Sequence, residues 1–129
     1  MMLEEFLRPY FIDPSDLVVK TIEFNLTSSA MRKKYEQDVA AILTGFPSTR
    51  GHNILFSLTS HSDDECGDLM VGYSCHRQLE VASEVETVLD VLLTPFEKVL
   101  PGSMFVAFAC GTFVRKASSL QQFCSAIKQ

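Results

Sequence analysis

Two apolar runs constrain this chain more than anything else in it, because each stops at a side chain able to do chemistry. The first is Asn53-Ile54-Leu55-Phe56-Ser57-Leu58-Thr59-Ser60-His61 and the second is Ser103-Met104-Phe105-Val106-Ala107-Phe108-Ala109-Cys110. Two strands joined through a long helical segment form one right-handed crossover unit, so the runs are predicted to lie parallel with their carboxyl ends on the same edge of a sheet. Open α/β sheets place their sites at that edge. His61 and Cys110 lie about 50 residues apart in sequence, yet this topology brings them to one rim. The low alternation through Ile54-Leu55-Phe56 predicts a strand covered on both faces.

The remaining elements follow from periodicity. Residues 1–16 read as an N-terminal segment or linker, helical toward Phe11 and turning at Asp13-Pro14-Ser15-Asp16. Residues 17–129 read as one α/β domain. Val18, Ile22, Phe24 and Leu26 share a parity against Thr21, Glu23 and Asn25, which predicts a half-buried strand over residues 17–26. Thr27, Ser28 and Ser29 offer helix caps, and Met31, Tyr35, Val39 and Ile42 follow at helical spacing until Gly45 and Pro47. Leu69, Val71 and Tyr73 alternate as in a short strand or half a hairpin. Ser83-Glu84-Val85-Glu86 has the form of a capping box, ahead of a helix with Val85, Val88, Leu89, Leu92, Phe96 and Val99 on one stripe. A closing helix over residues 117–128 is predicted to face Leu120, Phe123, Cys124 and Ile127 inward, with Ser118 and Gln121 as its cap. Strands alternating with helices make the fold class α/β with a mostly parallel sheet. Only three principal strands are available, which is thin for such a sheet.

Composition narrows the partners. With 129 residues the chain is large enough for one real core, and its net charge of −5 offers no basic stripe to neutralise phosphates. Nucleic acid is therefore not expected as a partner. Arg32-Lys33-Lys34 reads as the exposed face of a helix. No apolar run approaches the roughly 20 residues that span a bilayer, so no membrane partner is expected. The first residues carry Glu4 and Glu5 where a secretory signal carries base. A cytoplasmic location follows, with Cys66, Cys75, Cys110 and Cys124 reduced. Asn25-Leu26-Thr27 has the form of a glycosylation sequon, discounted for a cytosolic chain.

These residues resemble the caspase-like cysteine peptidases, the group that includes caspases, metacaspases and CHAT domains, over about residues 17–128. Residues 22–31 are similar to that family's second strand running into its second helix. Ser60-His61 at a strand end resembles its Ser-His-Gly motif, and Ala109-Cys110-Gly111-Thr112 resembles its Ala-Cys segment, in the CHAT form Ala-Cys-x-Thr. A histidine about 50 residues before the cysteine is the caspase arrangement. The resemblance implies a three-layer caspase-like sandwich and cysteine-type hydrolysis of peptide bonds in a peptide or protein substrate. It implies Cys110 as nucleophile, His61 as general base, and the backbone amides of Ser62 and Cys110 as oxyanion donors, with no cofactor and no metal. Ser62 stands where family members carry glycine. Phe108 and Gly111 stand where caspases carry glutamine and arginine, so no aspartate specificity is implied. No counterpart of the family's first strand precedes residue 17, which makes the domain partial and exposes a sheet edge able to pair with a second copy or another protein.

Other readings compete for the same residues. The family's scaffold can act as an inactive interaction domain, and an unrelated α/β binding domain can end two strands in His61 and Cys110 by chance. Cysteine is often a small buried residue finishing an apolar strand. Asp63, Asp64 and Glu65 read as a solvated loop or a cation site. His61, Cys66, Cys75 and His76 have zinc-ligand chemistry without the paired short spacing of structural zinc sites. Cys110 to Arg115 falls one residue short of a cysteine-phosphatase loop, so its amides cannot encircle a phosphate.

Overall fold

The computed structural model describes residues 2–46, 53–74, 79–109 and 112–128. Helix α1 (Met2–Leu7) and short 3-10 turns at Arg8–Tyr10 and Pro14–Asp16 lead into an extended segment, followed by α2 (Ser29–Thr44), β1 (Leu55–Ser60), β2 (Leu69–Tyr73) and β3 (Glu80–Ser83). Then come α3 (Val85–Leu93), a 3-10 turn at Thr94–Phe96, β4 (Met104–Ala109), α4 (Thr112–Arg115) and α5 (Ala117–Lys128). The chain is thus mixed α/β, with a small parallel sheet. No helix among the described residues is long and apolar enough to cross a membrane.

The two apolar runs form that sheet. β1 pairs with β4 in parallel and without a register break, from Leu55↔Met104 to Ser60↔Ala109. Their connection passes through β2 and β3, an antiparallel pair, and then through α3. The expectation of a mostly parallel sheet is corrected to two parallel strands and a separate antiparallel pair among the described residues. A single antiparallel bridge between Ser62 and Leu69 joins the chain after β1 to β2.

Aromatic packing shows which face of the parallel pair is covered. Phe56 and Phe105 are register partners, so both point to one side. Phe56 meets Phe96 edge-on at 5.0 Å between ring centroids, and Phe105 meets Phe123 at 5.8 Å. Phe123 in turn holds Phe113 at 5.6 Å. The turn after α3 and helix α5 therefore cover this face, over a core of Leu58, Leu69, Val85, Val88, Leu89, Leu92 and Phe113. The other face carries Leu55, Met104 and Phe108, which remain 42%, 67% and 52% exposed. The prediction of coverage on both faces is thus wrong for β1. Its apolar run reflects an uncovered sheet face rather than a second helical layer.

Helix α2 adds Tyr35 and Val39 to this core. The Ser28 hydroxyl caps it by accepting from the Met31 amide at 3.2 Å. Tyr35 and Val39, one turn apart, are its buried residues. The Tyr35 hydroxyl donates to the Leu92 carbonyl at 2.7 Å, tying α2 to the carboxyl end of α3, and burial pushes its phenol pKa up.

Four local expectations are corrected. Residues 17–26 are extended but form no strand. The Leu26 amide donates to the Val71 carbonyl at 2.8 Å and the Asn25 side-chain amide to the Tyr73 carbonyl at 3.3 Å, while Val18 stays exposed. Alternation reports an amphipathic extended chain, whereas a strand also needs a partner along its length. Ser83 does not cap α3, because it is the last residue of β3 and pairs with Leu69; Glu84 is the N-cap and makes no capping bond. Ser118 does not cap α5 either, since the helix already begins at Ala117. Its inward face is turned from the predicted one. Ser119 is buried and Phe123 and Ala126 pack on the core, whereas Leu120, Cys124 and Ile127 are exposed.

Candidate active site

The pairing of Ser60 with Ala109 ends both parallel strands at one level. His61 is the next residue on the first strand. Cys110 is the next on the second and lies outside the described residues, as do Gly111 and the Cys75 and His76 of the zinc set. The described geometry thus brings to one edge the two strand ends that carry the predicted pair in sequence.

His61 is exposed and stands between two clefts. On one side is a cleft of about 530 Å³ lined by Ser62, Asp63, Asp64, Glu65, Met70 and Glu80. On the other is a groove of about 420 Å³ lined by Thr59, Ser60, Phe108 and Ala109. Thr59 and Phe108 are register partners on the uncovered face, so the groove runs across both strands. The His61 backbone is fixed from the β2 side: its carbonyl accepts from the Met70 amide at 2.8 Å, and the neighbouring Ser60 hydroxyl donates to the Met70 carbonyl at 2.9 Å.

The direction of the Ser62 amide follows from strand alternation. The Ile54 carbonyl accepts from the Met104 amide at 2.9 Å, so even-numbered residues of this strand turn their backbone groups toward β4. Odd-numbered residues turn theirs toward β2, as the Met70 amide on the His61 carbonyl and the Asp63 amide on the Asp68 carbonyl at 2.7 Å show. Ser62 continues the even set. Its bridge to Leu69 is of the kind whose bonds are made by the flanking residues, so the Ser62 N–H is turned to the β4 side.

The acidic loop is more ordered than a solvated loop. The Asp63 carboxylate accepts from the amides of Glu65 and Cys66 at 2.9 Å each and from the Cys66 thiol at 3.1 Å. The amide and thiol of Cys66, then the amide of Glu65, hold the Asp63 carboxyl below the usual carboxylate range. Asp63 is therefore a turn-maker. Asp64 and Glu65 remain exposed. No group of three or more His, Cys, Asp or Glu among the described residues is arranged to hold a metal ion.

Cys66, the residue after Glu65, is a free and exposed thiol. The Asp68 amide favours its thiolate, but the hydrogen bond to the Asp63 carboxylate, desolvation and the Asp68 carboxylate outweigh that, and the thiol stands above its usual pKa. A raised thiol pKa disfavours the thiolate that attacks. Cys124 is free and exposed on α5, away from the core that the sequence predicts for it.

Two features of the site have no local signal in the sequence. Glu80 enters the acidic cleft from β3, through a hairpin register that pairs it with Tyr73. The Ser62 hydroxyl accepts from the Phe113 amide at 3.3 Å, across 51 positions. Comparison with known protein families, with characterised proteins and with solved structures finds no match.

Proposed function

We propose that this edge is a cysteine-peptidase site of caspase-like type, with Cys110 as nucleophile and His61 as general base. The observation that carries the reading is the unbroken parallel register that ends with Ser60 opposite Ala109. In the reaction, His61 takes the Cys110 thiol proton, and the thiolate attacks the carbonyl carbon of a peptide bond. The negative oxygen that forms is held by backbone amides, for which Ser62 and Cys110 are the candidates. The His61 imidazolium then gives its proton to the departing amine as the C–N bond breaks. Water, deprotonated by His61, hydrolyses the thioester and regenerates the thiol.

The substrate is a peptide or protein segment laid in the groove between Thr59 and Phe108, beside His61. The mechanism needs no cofactor. In this reading the domain is a partial caspase-like sandwich in the cytoplasm, where its thiols stay reduced. A second copy can pair along its open strand edges. A second reading, a caspase-like scaffold that binds proteins without catalysis, draws on the exposed Leu55, Met104 and Phe108.

Competitive labelling tests the peptidase reading without knowledge of the substrate. Cys66 and Cys124 are exposed, so access alone predicts that they react with iodoacetamide at least as fast as any other thiol. An activated Cys110 is expected to be labelled first at pH 6, by at least about tenfold over Cys124, because only a thiol with an assisting base is substantially ionised there. Mass-spectrometric mapping of the labelled cysteines reads the result. Cys124 reacting as fast as Cys110 removes the peptidase reading.

A further inference from the structure

The first N–H groups of a helix have no acceptor within it, and a buried one needs a partner from elsewhere. Phe113 lies in the first turn of α4 and is 3% exposed. Its amide is satisfied by the Ser62 hydroxyl, which does from across the fold what an N-cap side chain does locally. A second tie lies at the other end of the same loop. The buried Ser119 hydroxyl donates to the Cys66 carbonyl at 3.2 Å. Gly67, at φ +78°, comes so near that a Cβ there would stand 2.7 Å from the Ser119 hydroxyl oxygen and 3.2 Å from the Thr112 carbonyl oxygen. The loop after His61 is thus fastened at both ends to the segment that begins two residues beyond Cys110.

We propose that Ser62 is a positioning residue, whose side chain holds the end of β1, and with it His61, against the chain that follows Cys110. This rests on the peptidase reading. Among the described residues the strand pairing aligns β1 and β4 as far as Ser60 and Ala109. The Ser62–Phe113 bond adds a tie further along, joining the residue after the base to the third residue after the nucleophile. A catalytic pair works only when its separation is held, and a displacement of about 1 Å is enough to slow a reaction about 100-fold.

Ser62→Ala removes the acceptor and Ser62→Thr restores it. Two readouts are taken on each variant: hydrogen exchange at the Phe113 amide, and the rate of Cys110 labelling by iodoacetamide from pH 5 to 9. In Ser62→Ala, Phe113 exchange is expected to rise and Cys110 labelling at pH 6 to fall, each by about tenfold, the scale of one lost buried hydrogen bond. Ser62→Thr is expected to recover both. Faster Phe113 exchange with an unchanged labelling profile overturns the positioning role and leaves a helix cap alone; no change in either readout overturns the bond itself. The parent reading fails separately, when Cys110 labelling in the unmutated protein is indifferent to His61→Ala, and the positioning role falls with it.

Discussion

Replacing His61 with alanine is expected to slow hydrolysis of fluorescein-labelled casein by about 1,000-fold, within the range that a positioned general acid and base contributes. In the proposed mechanism the loss belongs mainly in kcat, since there the imidazole moves protons in the transition state and adds little to ground-state binding. Cys110→Ala is expected to lose at least as much. The two losses are not additive, because base and nucleophile act as one unit. His61 is exposed, so the substitution leaves the core intact and the urea midpoint is expected to stay put. A His61→Ala protein within about tenfold of the unmutated rate contradicts the assignment of the base. Unmutated protein that leaves casein intact favours the non-catalytic scaffold.

The largest effect on stability is expected at Leu89. It is fully buried in α3 between Val85, Val88 and Leu92. Truncation to alanine there forfeits the transfer energy of the removed carbons and leaves a cavity whose walls relax only in part. The expected loss is about 3 kcal/mol, against a total of about 5–15 kcal/mol for a domain of ordinary stability. It is read as a lower urea midpoint with an unchanged slope. Leu120→Ala is the matched control. Leu120 is 43% exposed on the outer side of α5, so its truncation is expected to lose less than about 1 kcal/mol. Equal losses at the two positions would mean that α5 sits with the face predicted by hydropathy, not the one described.

That contrast shows how far this chain can be read from its sequence. The β1 and β4 runs are legible because each is long, apolar and stopped by a polar residue, and because a helical crossover between two strands leaves one favoured hand. The edge that carries His61 follows from the same argument. Residues 17–26 are only partly legible, since alternation finds Ile22, Phe24 and Leu26 on the core but misplaces the exposed Val18 and does not show whether a partner strand runs beside them. The start of α3 misleads for a related reason: Ser83 has the chemistry of a cap, but its backbone is already committed to pairing with Leu69. On α5 the inward position belongs to Ser119, a polar residue that hydropathy assigns to solvent and whose buried hydroxyl donates to the Cys66 carbonyl. The Ser62–Phe113 bond is invisible in sequence because nothing local at either residue requires the other.

The pairing of Cys110 with His61 is read from the pH dependence of Cys110 alkylation in the unmutated protein and in His61→Ala. The unmutated rate is expected to reach half its maximum well below the ordinary thiol value of about 8.5, and His61→Ala to return the midpoint to that value. An imidazolium beside the thiolate favours the charged sulfur, and its removal takes that help away. Coincident profiles with midpoints near 8.5 in both proteins would rule out the pair, since Cys110 would then be a thiol with no base at its side.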